Sequence, residues 1–304
     1  MSCGLLLVNK PRGVRSAACV SLLRRHLGRG VKVGHGGTLD STAEGLLILL
    51  VGTATRASDM VMALPKTYDA TIRFGEERAT DDSSGDVLRS RPVPADIEDR
   101  VRAALPSFYG VRLQTPPHMS AVKVDGRRAS DRVRSGENLR LSPRPVHILS
   151  IAARQSPGSV DSWNLRIRCG KGTYVRSIAR DMGRLVRCGA YVQSLVREAT
   201  GSFLLEQAIG HDALVDGGSS VSRAIVPLSR LADQFYSYAA DDDASAALLA
   251  GKALPLASLA FRGAGASSLG RIAVVLGTRL LSCGSVDPSG IFEPRTNILL
   301  EGEA

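Results

Sequence analysis

The sequence predicts a mixed α/β chain of 304 residues, and three observations predict it. Two stretches alternate as half-buried strands do. Tyr68, Ala70, Ile72 and Phe74 oppose Asp69, Thr71 and Arg73; Trp163, Leu165, Ile167 and Cys169 oppose Asn164, Arg166 and Arg168. Two short apolar runs, residues 5–8 (LLLV) and 46–51 (LLILLV), read as strands covered on both faces. Two segments carry apolar residues at helical spacing: Ala17, Val20, Leu23 and Leu27, then Ile178, Met182, Leu185 and Val186.

Taken in order, residues 5–8 form the first strand and Asn9 to Gly13 the turn after it. Ser16 is placed to cap a helix that Gly28 and Gly30 end. A glycine-rich polar loop, residues 33–45, then runs into the apolar strand 46–51 and holds one carboxylate, Asp40. A flexible loop bolted to a rigid strand is a common setting for a reactive group. Spacing alone favours the blander role of turn former or cap for an Asp in such a loop. Lys66-Thr67-Tyr68 opens the first alternating strand, and Thr80-x-Asp82-x-x-Gly85 reads as an acidic turn. Residues 91–94 are a proline-rich connector, and Arg127, Arg128, Arg132, Arg134, Arg140 and Arg144 make the densest basic region. After the second alternating strand, residues 170–173 turn into a helix ending near Gly189, on which Arg176, Arg180 and Arg184 recur every four residues as a solvated basic face. A turn is expected over residues 197–201 and a linker over 231–240. Two strands follow, 271–276 and 280–284, joined by Gly277-Thr278-Arg279.

Composition narrows the function. The formal net charge is +10, and only six of the 39 basic residues are lysine. Arginine's planar fork suits phosphate and stacks on bases, so a polyanionic partner is expected. No apolar run approaches the ~20 residues of a spanning helix, and no signal peptide is legible, so a cytoplasmic protein is expected. The five cysteines are scattered without a C-x-x-C pair, and the five histidines form no ligand cluster with them. Neither zinc nor a disulfide framework is expected.

Several strings carry a resemblance. Gly34-His35-x-Gly37-x-Leu39-Asp40-x-x-Ala43-x-Gly45 resembles the aspartate motif of the TruB family of tRNA pseudouridine synthases, with Gly36 where Thr is usual and Ser41-Thr42-Ala43-Glu44 where Pro-Leu-Ala-Thr is usual. Lys10-Pro11-x-Gly13-x-x-Ser16, the K-x-Y string at Tyr68, the segment 114–126 (with Met119 where an aromatic is usual) and Lys171-Gly172-Thr173-Tyr174-Val175-Arg176 also resemble that family's motifs, in its order. The resemblance implies the pseudouridine synthase fold: a mixed, mostly antiparallel sheet with flanking helices over residues 1–236, plus a small β-rich PUA-like RNA-binding domain over 237–304. It implies isomerisation of uridine to pseudouridine at position 55 in the T-loop of tRNA. Asp40 would be the nucleophile, Arg176 its partner, and Tyr68 the ring stacked on the uracil. Tyr174 and Leu195 would close the pocket, His35 would fill the gap left by the flipped base, and Lys171 would help bind substrate. No cofactor, no metal and no obligatory protein partner is implied, and a monomer is expected. A non-catalytic RNA-binding protein and a subunit of an RNA-guided pseudouridylase are the rivals. A nucleotide hydrolase is disfavoured, because Gly172 and Leu165 break the phosphate-loop pattern.

Overall fold

The computed structural model describes residues 3–137, 139–265, 270–277 and 279–298; Thr278 of the expected C-terminal hairpin lies outside them. The chain divides into two compact units, residues 1–64 with 199–304 and residues 65–198.

The first unit opens with β1 (Gly4–Lys10), α1 (Ser16–Leu27), β2 (Val33–His35), β3 (Glu44–Val51) and α2 (Ser58–Ala63). β1 and β3 pair antiparallel, Leu7 opposite Ile48, and β2 adds to β3 with His35 opposite Leu49. Both predicted apolar runs are buried on both faces. Leu6, Val8, Leu47, Leu49 and Val51 meet Cys19, Val20 and Leu23 of α1. Leu5, Leu7, Leu46, Ile48 and Leu50 meet Met60, Val61 and Leu64 on the other side. Cys19 holds the core position expected of Ala17, which is exposed. Gly28 ends α1 at φ +85°, a conformation that suits glycine.

The second unit runs through β4 (Lys66–Phe74), β5 (Glu76–Arg78), β6 (Val87–Ser90), α3 (Ile97–Ala104), β7 (Gly110–Gln114), β8 (Lys123–Val124), β9 (Arg127–Arg128), α4 (Ala129–Arg134), β10 (Arg144–Gln155), β11 (Ser162–Cys169), α5 (Val175–Leu185) and β12 (Ala190–Thr200). The sheet order β4-β11-β10-β7 is antiparallel throughout. The alternation predicted for β4 and β11 holds. Ala70, Ile72, Phe74, Trp163, Leu165, Ile167 and Cys169 are buried, and Phe74 meets Trp163 edge to face at 6.4 Å. β12 extends through Thr200 where a turn from Arg197 was expected; the turn begins at Gly201.

The first unit resumes with β13 (Phe203–Leu204), β14 (Ile209–Gly210), α6 (His211–Asp216), α7 (Ser219–Arg223), β15 (Ile225–Val226), α8 (Ser229–Ala232), β16 (Tyr236–Ala239), α9 (Asp242–Leu249), β17 (Leu254–Pro255), β18 (Ala260–Gly263), β19 (Ile272–Leu276), β20 (Arg279–Val286) and β21 (Ile291–Asn297). The last six strands form one sheet, ordered β17-β21-β20-β19-β16-β18. Residues 231–240 are not the expected linker. Leu231, Ala232 and Phe235 are fully buried in the core that Leu5 and Leu50 share with Val275 and Leu280. Read as a connector because helical and strand periods are both too short there, the segment holds the end of α8 with Leu231 and Ala232, the turn with Phe235, and β16.

The fold is therefore mixed α/β, with mostly antiparallel sheets; parallel pairs join β1 to β14 and β16 to β19. Among the described residues, no helix is long and apolar enough to cross a membrane.

Candidate active site

Asp40 lies in the loop between β2 and β3, partly exposed, and the surrounding backbone is tied down from the N-terminal segment. Lys10 is completely buried at the end of β1. Its Nζ donates to the carbonyls of Pro11 (2.9 Å), Val14 (2.8 Å) and Ala43 (2.6 Å). A buried ammonium is tolerated only when its protons are taken up, and here it links β1 to the end of the aspartate loop. Ser16 does not cap α1. The N-cap is Arg15, and Ser16 Oγ instead donates to the Leu39 carbonyl (2.8 Å) and accepts from the Leu39 N–H (3.0 Å). The residue beside Asp40 is thus held at both backbone groups by one hydroxyl. Gly13 N–H donates to the Ser41 carbonyl at 2.7 Å, and Gly36 N–H to the Ile48 carbonyl at 2.8 Å. His35 ends β2 at the start of this loop, and Gly37 N–H donates to its Nδ1 at 3.4 Å.

Gly36 packs against the core. A Cβ placed there would lie 2.2 Å from Cγ1 of Val61, a fully buried residue of α2. The departure from Thr at this position is therefore matched by a β-branched neighbour filling the space.

In the second unit, Arg176 is buried in the first turn of α5, where a solvated basic face was expected. Its Nη1 donates to the Thr80 carbonyl and its Nη2 to the Met119 carbonyl, both at 3.0 Å, and Nε lies 3.8 Å from Asp82 Oδ2. Two segments, the turn at Thr80 to Asp82 and the stretch at Met119, thus fix the plane of one guanidinium. Met119 contributes its main-chain oxygen, which any side chain at that position supplies. Asp82 is itself buried. Burial pushes its carboxyl up, but donors from the Ser84 and Thr80 hydroxyls and the Ser84 N–H overcome this, leaving it below the usual carboxylate range. Arg180, one turn along, is also buried and ordered: it bonds Asp81 (3.0 Å), Asp181 (3.0 Å) and the Thr115 carbonyl (2.8 Å). The helical period of these arginines marked a polar interior network. Only Arg184 is exposed.

Tyr174 is the N-cap of α5. The buried Gln114 amide spans its backbone, accepting from Tyr174 N–H at 2.9 Å and donating to its carbonyl at 3.1 Å. Tyr68 is half-buried on β4 opposite Ile167 of β11, at the open end of the apolar face that Ala70 and Ile72 continue. Leu195 is buried on β12, and Lys171 is exposed in the turn before α5. The loop of the first unit thus carries His35 and Asp40 together, and the start of α5 carries Tyr174 and Arg176. Sequence reasoning gave no site role to Lys10, Asp82, Gln114 or Arg180. Lys10, Asp82 and Gln114 stood inside quoted strings and Arg180 in the arginine repeat; the partner that gives Gln114 its role is 60 residues away. Lys66, two residues before Tyr68, is buried, and its ammonium is pushed down to about 7 by burial and then by Arg197, against Cys169. Among the described residues, no three His, Cys, Asp or Glu side chains group as metal ligands.

The sequence pattern of the TruB family pseudouridylate synthase N-terminal domain matches residues 24–175. A tRNA pseudouridine synthase B of Opitutus terrae is 41% identical over 211 residues, covering 69% of this chain and 86% of that protein. One of Burkholderia lata is 38% identical over 257 residues, covering 84% and 79%. In fold, the chain resembles a crystal structure of a Cbf5-Nop10-Gar1 complex, with TM-score 0.73 and 22% identity over 99% of this chain and 86% of that one. An H/ACA RNP bound to a substrate RNA containing 2'-deoxyuridine gives TM-score 0.70 at 21% identity, over 97% and 85%.

Proposed function

The chain belongs to the TruB family of pseudouridylate synthases and is therefore an isomerase; we propose that its substrate is tRNA and its target uridine 55 of the T-loop. The observation that carries this reading is the aspartate loop, matched in sequence and clamped by Lys10 and Ser16 so that Asp40 stands on a rigid support while its side chain stays accessible.

The reaction breaks the bond from uracil N1 to the ribose C1′, turns the base, and forms a bond from C5 to C1′. The C5 proton is lost and N1 gains one, so the sum is an isomerisation with no electron transferred. The base is stacked within the loop and must be flipped out to be reached. Asp40 is the nucleophilic carboxylate that holds the sugar or base while the glycosidic bond is open. Arg176 supplies the counter-charge that keeps it ionised, and its own orientation rests on Thr80, Asp82 and Met119. Tyr68 stacks on the uracil, Tyr174 and Leu195 close the pocket, His35 fills the space the base leaves, and Lys171 contacts the RNA. The six-stranded sheet of residues 237–304 acts as a PUA-like RNA-binding module. The protein works as a monomer in the cytoplasm, with tRNA as its partner.

A second reading is favoured by the likeness to Cbf5 in its complex with Nop10 and Gar1: a subunit that depends on protein partners and a guide. The purified chain alone, given an unmodified tRNA transcript, separates the two. Pseudouridine mapped at position 55 supports stand-alone action. No turnover without added proteins and guide RNA refutes it.

A further inference from the structure

We propose that an arginine-lined groove at the C-terminal end of α5 binds the phosphodiester backbone of the RNA substrate away from the target base. This rests on the reading that the substrate is RNA.

The groove, about 690 Å³, lies between the β5–β6 hairpin and the end of α5. Arg89, Arg91, Arg184 and Arg187 line it, with Glu77 as its one carboxylate and Leu88, 63% exposed, beside them. Arg89 stands opposite Glu77 in the hairpin register, yet neither it nor Arg184 nor Arg187 forms an ion pair among the described residues. Arg91 donates to the Arg187 carbonyl at 3.4 Å, which draws the two side chains' segments together. Four guanidinium groups line the groove beside one carboxylate, with Asp81 reaching Arg184 from outside the lining, so positive charge remains in excess and an added anion relieves the repulsion.

A second observation is independent of charge. α5 ends at Leu185 with Val186 as its cap, and Arg187 follows at φ +67°. This is the position after a helix where glycine is ordinarily favoured, because the left-handed conformation crowds a Cβ. The chain places a long cationic side chain there despite that strain. Its setting is rigid: Gly75 N–H donates to the Gly189 carbonyl at 3.1 Å, and a Cβ on Gly189 would lie 2.8 Å from Glu77 Cγ. The helix also sets the reach. Arg184 is eight residues from Arg176, about 12 Å along the axis, within the span of one RNA stem.

Filter binding of full-length tRNA to the wild type, Arg184→Gln, Arg187→Gly and the double variant, across a salt series, tests the proposal. Each arginine lost should weaken binding roughly eightfold at 0.1 M salt and reduce the log–log salt slope by about one, as expected for one phosphate contact. Tritium release at saturating enzyme, with uridine-C5-labelled tRNA, should be unchanged. Arg187→Gly should melt no lower than the wild type, so weaker binding by it cannot be ascribed to unfolding. A double variant with wild-type affinity and slope overturns the proposal. A wild type that fails to bind tRNA overturns both it and the functional reading; one that binds with the predicted slope yet never releases tritium refutes the functional reading alone.

Discussion

Replacing Gly36 by Ala adds a single methyl group where the structure leaves no room. The new Cβ would meet Val61 Cγ1 at 2.2 Å and Val61 Cβ at 2.7 Å, whereas ordinary van der Waals contact begins near 3.4 Å. Val61 is fully buried in a core shared with Met60, Leu50 and Leu231, so it cannot swing into solvent. Overpacking of this kind costs about 1–3 kcal/mol, and the loss of glycine's unfolded-state freedom returns about 0.4–1 kcal/mol of it. The net expectation is a loss of up to about 2.6 kcal/mol, centred on about 1.3 kcal/mol, on those figures. Val61→Ala removes the obstructing methyls. Alone it destabilises by emptying space; in the Gly36→Ala background it should cost at least ~1 kcal/mol less. Urea unfolding of the four proteins at one pH measures the cycle. Additive effects, within about 0.5 kcal/mol, would refute the claim that Val61 is what makes glycine necessary here.

Lys66→Met should change the pH dependence of stability, comparing best with the wild type at low pH. Burial pushes the folded-state ammonium down to about 7 against an ordinary 10.5, so wild-type stability rises as pH climbs between those values. Relative to the wild type, the variant should be roughly 2.7 kcal/mol more stable at pH 6 than at pH 9, read from denaturant midpoints; a pH-independent difference contradicts the assignment. Ser16→Ala strips both hydrogen bonds from the Leu39 backbone, and should cost about 1–3 kcal/mol and lower kcat with little change in tRNA affinity. An equal loss of affinity would show that the hydroxyl serves RNA binding instead. Deleting residues 237–304 removes Ala273, Val275 and Leu280 from the core they share with Leu231 and Ala232 of α8, so the melting temperature should fall as KM for whole tRNA rises. An unchanged melting temperature would mean the C-terminal sheet lends nothing to that core.

Sequence disclosed those elements whose order is set by near neighbours. The period of two in β4 and β11, and the unbroken apolar runs of β1 and β3, each record a burial pattern directly. What stayed hidden depends on contacts distant in the chain. Arg176 and Arg180 look like a solvated helix face until Thr80, Asp81, Thr115 and Met119 are folded over them. Ser16 looks like a cap because local rules favour Ser before a helix, yet its hydroxyl is taken by Leu39, 23 residues on. Residues 231–240 look like a connector because their elements are too short to show a period, although Phe235 is fully buried. At the candidate site, the aspartate loop was legible through its motif. What Lys10 does for that loop, and what Gln114 does for the Tyr174 backbone, was not, since both act on backbone atoms that carry no sequence signature.

The central claim is that Asp40 is the reacting carboxylate. Asp40→Asn keeps the size and the turn-forming capacity of the side chain and removes its charge. If Asp40 only shapes the loop, Asn should serve nearly as well. The direct measurement is tritium release from uridine-C5-labelled tRNA, run beside filter binding on the same preparations. The account predicts that release by Asp40→Asn vanishes while tRNA affinity stays close to wild type, because phosphate contacts carry most of that affinity. Wild-type release by Asp40→Asn would contradict it.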